Sequence, residues 1–352
     1  MAIDETKLKE FLGRAVGDVA AAMSAVLVVI GDRLGLYQAM AGAGPLTPAQ
    51  LAERAGIAER YAREWLSNQA AGGYVAYDAD SGRFTLPPEQ ARALADESSP
   101  VFLAGAFEIV ASMFHDEPKI TRAFRSGEGV GWHEHHQSLF DGGERSTRPR
   151  YLGNLVNSWI PALDGMVARL RAGARVADVG CGSGASTILM ARSFPQSRFT
   201  GFDTHAPSIE RARAAARAAG VEENTRFEIA DSKAFPGTGW DLVAFFDCLH
   251  DMGDPVGVAA HVRRSLAPEG LWMIVEPYAR DRLEENLTPL GRLFYAASTM
   301  VCVPASLAQE GRAALGTQAG EARIREVATK GGFRHFRRAV ETPFNLVFEA
   351  RP

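Results

Sequence analysis

Three aspartates recur at near-even spacing in the second half of this 352-residue chain. Asp178 lies two residues before the glycines of "RVADVGCGSGAST", Asp203 closes "RFTGFD", and Asp231 closes "RFEIAD". In the first segment Gly180, Gly182 and Gly184 alternate with Cys181 and Ser183. Such a loop turns sharply and lets a ligand lie against bare backbone. Alone, the glycines also fit a dinucleotide fingerprint with Ala185 in its last position. The carboxylate decides between ligands, because Asp178 would repel a pyrophosphate and attract an ammonium. A ligand joining an ammonium to a ribose and an adenine uses all three acids. Asp178 takes the amine, Asp203 the ribose hydroxyls, and Asp231, followed by Ser232, the adenine amino group. S-adenosylmethionine is such a ligand. The plainer reading makes each acid a helix cap or turn residue.

A fourth segment, "DLVAFFDCLHDMGDP", brings Asp247, Cys248, His250 and Asp251 together. Methyl transfer from a sulfonium is an in-line displacement whose thioether leaves neutral, so it needs no acid. An attacking hydroxyl must instead lose its proton, and a histidine suits that task near neutral pH. His250 is the candidate; otherwise it caps the helix that begins near Asp254. Glu276, ending "IVEP", is expected to orient the imidazole, as is Asp251, although adjacent side chains rarely face each other. Asp247 and Cys248 are assigned to the cofactor's methionine end, Cys248 as a packed thiol. Tyr151 either covers that end or belongs to a helix core.

For the acceptor, the polar stretch "RSGEGVGWHEHHQSLFDGGERSTRPRY" reads as a long loop, with Trp132, His136 and Phe140 reaching the sheet edge. Tyr278, Phe294, Tyr295 and Met300, in an apolar insertion after "IVEP", either line a pocket or fill a core. His133 to His136 offer metal ligands, but neither HExxH nor a second ligand cluster accompanies them, so no metal is expected.

The elements that must hold these residues are legible in the pattern. Strand-like runs at "RVADVG", "RFTGFD", "RFEIAD", "DLVAFFD", "LWMIVEP", "FRHFRRAV" and "FNLVFEAR" alternate with helical runs near Ala185–Ser193, Pro207–Ala219, Pro255–Leu266 and Gln318–Lys330. This predicts an α/β fold with a mainly parallel sheet covered on both faces. The short link at Thr342-Pro343 makes the last two strands antiparallel. Upstream, "LTPAQLAERAG" carries Thr47, Pro48 and Gln50 as a helix start, with a capping box. "AERYAREWLSNQAAGG" places Tyr61, Trp65, Leu66 and Gln69 on one face, and "YVAYDADSGRFTL" reads as a hairpin. Helix, helix, hairpin is a winged helix-turn-helix. The expected division is residues 1–96 for that module, 97–172 for a helical linker and substrate cap, and 173–352 for the cofactor domain.

On these motifs the chain resembles the class I S-adenosylmethionine-dependent methyltransferases from about Ala162 to the C-terminus. The resemblance implies a Rossmann-like seven-stranded sheet with its last strand antiparallel. It also implies that the "DVGCGSG" loop, Asp203 and Asp231 contact methionine, ribose and adenine. "LHDMGDP" is similar to the plant-type small-molecule O-methyltransferases, in which the histidine is the general base; carried over, that base is His250. Those enzymes have an N-terminal winged-helix domain that dimerises and closes part of the substrate pocket. The chain departs from them at Met252-Gly253, where they have an aromatic and a small polar residue. As a whole it looks closer to a bacterial, actinobacterial-type group of winged-helix methyltransferases.

Composition sets the outer bounds. A net charge of −4 supplies no global field for nucleic acid or anionic lipid. From Met40 to Arg92, five arginines meet six acids, which argues against a DNA-binding regulator that uses a methyltransferase-like fold as ligand sensor. A nicotinamide-linked oxidoreductase is the third reading, separable by its cofactor. The three cysteines lie far apart, as in a reducing cytoplasm. No signal-peptide core opens the sequence. The apolar run Val19–Ile30 is shorter than the ~20 residues a bilayer needs. It is expected inside the protein or against a second subunit as a homodimer contact.

Overall fold

The computed structural model describes residues 3–352 and divides the chain into two compact units. One comprises Met1–His115 with His136–Pro149, the other Asp116–His135 with Arg150–Pro352.

The first unit begins with helix α1 (Glu5–Arg33), capped by Asp4, whose side chain accepts from the Thr6 and Lys7 amides. It runs well beyond the apolar stretch Val19–Ile30 in both directions. Then follow α2 (Leu36–Met40), α3 (Pro48–Ala55), α4 (Glu59–Ala71), the antiparallel pair β1 (Ala76–Asp78) and β2 (Arg83–Thr85), and α5 (Pro88–Leu94). The capping box is present: Gln50 N donates to the Thr47 hydroxyl and Thr47 N to the Gln50 side chain. Trp65, Leu66 and Gln69 are buried as expected, and Gln69 accepts from the Tyr37 hydroxyl at 2.7 Å. Tyr61 is not with them; it is 78% exposed, one turn off the buried stripe.

Helices α6 (Ala104–Ser126) and α7 (Gln137–Asn154) each begin in this unit and end in the other. Most of the stretch expected as a loop is therefore helix. The misleading glycine is Gly142: a Cβ there would come within 2.8 Å of the Gly105 carbonyl and the Ile109 amide. Its missing side chain lets two helices touch, and it is not a break. Arg145 ties α7 to α1 as well, donating to both oxygens of Asp32 at 2.6 and 2.9 Å.

In the second unit α8 (Met166–Ala172) precedes a seven-stranded sheet. Its strands are β3 (Arg175–Val179), β4 (Arg198–Asp203), β5 (Thr225–Ile229), β6 (Trp240–Phe246), β7 (Leu266–Pro277), β8 (His335–Glu341) and β9 (Asn345–Arg351), in the order β5-β4-β3-β6-β7-β9-β8. β9 runs antiparallel to both neighbours, and the pairings among β3 to β7 are parallel. The crossovers are α9 (Ala185–Ser193), α10 (Ala206–Ala219), α11 (Pro255–Ser265) and, after the insertion α12 (Pro289–Ala297) and α13 (Val303–Leu307), α14 (Gly320–Lys330). A strand covered on both sides must be apolar along its covered length, and β6 is so from Leu242 to Phe246; Asp241, near its start, accepts instead from the Arg169 side chain and the Arg175 amide. Leu242, Ala244 and Phe246 pack among α8, α9 and α10; Val243 and Phe245 pack among α11 and α14. The helices α1 and Pro289–Leu307 are long and apolar enough to cross a membrane, a test that core helices of water-soluble proteins also pass.

Candidate active site

The strand order reverses between β3 and β6, and the carboxyl edge at such a switch point is where open α/β sheets bind ligands. The expected acids converge there. Asp178 is the next-to-last residue of β3, Asp203 the last of β4, and Asp247 follows β6 directly. Asp231 stands two residues beyond β5.

Asp178 is 1% exposed. Its Oδ2 accepts from the Ser186 and Thr187 hydroxyls, both at 2.6 Å, while Oδ1 is buried with no hydrogen-bond partner. Burial pushes this carboxyl up to about 6; the two hydroxyls oppose that shift and nearby Asp203 adds to it. A buried carboxylate oxygen without a donor is a costly arrangement for a fold to keep unless a cation or donor completes it.

The three glycines serve different ends. A side chain at Gly180 would strike Cys248 Sγ at 2.8 Å, and one at Gly184 would strike the Phe227 ring, so both exist for packing. Only Gly182, at φ +51°, opens on empty space, and its amide donates to Asp203 Oδ2 at 2.9 Å. The Cys181 side chain is buried on the sheet side, where a Cβ on Gly201 would meet its sulfur at 2.8 Å. Cys181 therefore offers a ligand its backbone and not its thiol.

Asp203 also accepts from the His205 amide at 2.8 Å and is partly exposed. Asp231 is exposed, its Oδ1 accepting from the Lys233 amide in a tight turn; Ser232 beside it is partly buried. The plainer reading of these acids as turn residues thus describes part of what each one does, and spare carboxylate lone pairs remain at both.

Asp247 holds φ +51°, a strained backbone for a residue with a side chain. Asn345 donates to its Oδ1 at 2.7 Å and Arg150 lies 3.2 Å from its Oδ2. Burial raises its carboxyl, against the pull of Arg150. Sequence reasoning missed both partners, because Arg150 and Asn345 are about 100 residues away on either side and no local pattern marks them. Cys248 points its sulfur at the Val179 carbonyl, 3.3 Å away, and burial drives its thiol well up, as suits a packed and unreactive group. Tyr151 is 7% exposed among Trp159 and Phe246, yet the charges of Asp247 and Asp178 reach it. It belongs to the core and borders the site.

His250 does not cap α11; Asp254 does, accepting from the Gly257 amide. The imidazole is 2% exposed, and Glu276 Oε2 holds its Nδ1 at 2.5 Å. Contrary to the expectation for neighbours, Asp251 faces it, Oδ1 lying 3.2 Å from Nε2, because a tight helical turn over Leu249–Asp251 folds the two side chains together. Burial disfavours the imidazolium, but the Glu276 and Asp251 carboxylates outweigh it and hold the group well above its usual range.

The acceptor candidates are divided between the units. Trp132 lies with the sheet, whereas His136 and Phe140 lie with the N-terminal unit. Phe294 is buried and its carbonyl accepts from the Thr317 hydroxyl, a core position. Tyr278, Tyr295 and Met300 are half-buried, with Arg280 over the Tyr278 ring.

The methyltransferase domain family matches residues 170–331, and the Rv2258c-like winged HTH domain family matches residues 22–96. The chain carries a methyltransferase domain behind a winged helix-turn-helix domain. S-adenosylmethionine is the cofactor of such domains. A 27-O-demethylrifamycin SV methyltransferase from Amycolatopsis mediterranei is 36% identical over 103 residues, 29% of this chain and 38% of that protein. The chain thus spans about two fifths of the length of the curated relatives it first matches. Over nearly full length the fold matches an O-methyltransferase family protein from Burkholderia thailandensis (TM-score 0.70, 18% identity, 100% of this chain and 99% of that one). It also matches human N-acetylserotonin methyltransferase solved with S-adenosylmethionine (TM-score 0.71, 19% identity, 97% of each chain).

Proposed function

We propose that the protein is an S-adenosylmethionine-dependent methyltransferase acting on a hydroxyl of a small aromatic or lipophilic acceptor. The observation that carries this reading is the orphaned, buried Oδ1 of Asp178, four residues before the open face of Gly182 in the chain, a pair that suits a cationic amino-acid group. Asp203 would take the ribose hydroxyls, Asp231 and Ser232 the adenine edge. Asp247, braced by Arg150 and Asn345, would border the methionine end with Tyr151, Cys181 and Cys248. When bound, the cofactor supplies an electrophilic methyl group whose leaving thioether needs no proton. His250 in its neutral form, the minor one near neutral pH beside the Glu276 and Asp251 carboxylates, would receive the acceptor's proton at Nε2, with Glu276 holding Nδ1 and fixing the ring. Asp251 would stabilise the resulting imidazolium. Trp132, Tyr278 and Tyr295 would border the acceptor, with Phe294 as a less direct candidate. Nothing in the charge of the winged helix favours DNA, and the cell compartment we infer is the cytoplasm.

The N-terminal unit supports self-association. Leu12, Val16, Val19, Met23, Val26 and Ile30 of α1 are all at least 40% exposed and recur at alternating intervals of four and three. That is the seam of a coiled coil, here best filled by α1 of a second copy.

The test of the catalytic reading is His250→Asn assayed by release of S-adenosylhomocysteine across a panel of small phenols. Cofactor affinity should persist while turnover falls by 10²–10⁴-fold, the usual contribution of a general base. Unchanged turnover on an acceptor that the wild type methylates would remove His250 from the mechanism.

A further inference from the structure

The turn Leu249–Asp251 faces a second irregular turn, the π-helical segment Ser298–Cys302 that leads into α13. Two side chains lock them together: the Ser306 hydroxyl donates to the Met252 carbonyl and the Gln309 amide to the Asp251 carbonyl, both at 2.8 Å. The result places one ligating atom each of His250, Asp251 and Cys302 within 4.8 Å of one another, the histidine and cysteine buried and the aspartate partly so. Asp251 Oδ1 lies 3.2 Å from His250 Nε2, and the Cys302 thiol interacts with both side chains. Beyond it lies His135, whose Nδ1 is held by Asp116 at 2.9 Å and whose buried Nε2 lacks a partner.

We propose that His250, Asp251 and Cys302 form a binding site for a divalent transition-metal ion of the zinc class. The donor set is imidazole, carboxylate and thiolate, the borderline mixture that selects Zn²⁺ over Mg²⁺ or Ca²⁺. Ligating histidines usually donate their second ring N–H to a carboxylate, which turns the free lone pair toward the metal; Glu276 does this for His250. Three protein ligands leave a fourth position for a water or an acceptor oxygen. Metal uptake displaces the Cys302 thiol proton and any proton on His250 Nε2 into solvent. A consequence that rests on the methyltransferase reading is that the ion and the acceptor's proton compete for Nε2, so zinc inhibits transfer. The site itself does not depend on that reading.

The test is anaerobic titration of the chelator-treated, dialysed full-length chain with Co²⁺, followed by Zn²⁺, read by absorbance. One equivalent of Co²⁺ should raise a sulfur-to-cobalt charge-transfer band in the near ultraviolet with tetrahedral bands in the visible, and Zn²⁺ should abolish both. Cys302→Ala should lose the near-ultraviolet band, and Asp251→Asn should weaken uptake at least tenfold. S-adenosylhomocysteine binding, measured on each sample, reports folding. A chain that binds S-adenosylhomocysteine but takes up no stoichiometric Co²⁺, or keeps the sulfur band without Cys302, overturns the metal site and leaves the methyltransferase reading standing. Stoichiometric Co²⁺ uptake without S-adenosylhomocysteine binding does the reverse.

Discussion

Replacing Asp178 by Asn separates folding from ligand binding in opposite directions. The carboxyl is fully enclosed and raised from 3.8 to about 6. A carboxyl whose native value lies above its unfolded value holds its proton more tightly in the fold. Its contribution to stability is therefore complete below about pH 4 and is lost as the pH climbs through 6. A shift of roughly two units corresponds to about 3 kcal/mol in the ligand-free protein above that point. Asparagine keeps a carbonyl to accept from Ser186 and Thr187 but carries no charge. Ligand-free Asp178→Asn should be more stable than wild type at pH 8, by up to about 3 kcal/mol, and indistinguishable from it at pH 4.

Binding runs the other way. An ammonium is attracted only to the ionised form, so wild-type affinity for S-adenosylhomocysteine should weaken about tenfold from pH 7 to pH 5. The variant should bind more weakly at pH 7 and show little of that slope. Denaturant melts and calorimetric titrations on the same samples measure both quantities. An asparagine variant that is less stable at pH 8, or one that keeps the wild-type slope, would refute the assignment of Asp178 to a cation.

Other outcomes follow from packing and exposure. Gly180→Ala drives a methyl group into Cys248 and should destabilise the fold by about 1–3 kcal/mol in chemical denaturation. Gly182→Ala meets open space but at φ +51° should cost about 1–2 kcal/mol of backbone strain, and it should also lower S-adenosylhomocysteine affinity. Leu242→Ala, at the wholly buried centre of the sheet, should cost about 2–5 kcal/mol by the same assay. Val19→Asp on the α1 seam should shift the mass measured by light scattering from two chains to one; a wild type that is already a single chain would dispose of the seam.

The sheet was legible because its central strands are apolar runs of buried type, and α10, α11 and α14 carry a proline start or a glycine stop. Local signals also pointed to Asp178, Asp203 and His250 as candidates. What escaped were relations that only tertiary structure creates. Gly142 reads as a loop signal until Gly105 and Ile109 are seen against it. Arg150 and Asn345 reach Asp247 from opposite ends of the unit. Adjacent residues normally point apart, and only the tight turn at Leu249–Asp251 turns Asp251 onto His250. Cys302 comes near both through an insertion whose apolar composition spoke only of core or pocket.

The account rests on acids at the ends of β3, β4 and β5 that sort for an adenosyl amino acid over a dinucleotide. Calorimetric titration of wild type and Asp203→Ala with S-adenosylhomocysteine and with NAD tests this most directly. Wild type should bind the first and not the second. The variant, losing hydrogen bonds from a charged acceptor worth about 1.5–3 kcal/mol each, should bind S-adenosylhomocysteine at least tenfold more weakly. Preference for NAD, or an Asp203→Ala affinity equal to wild type, would contradict it.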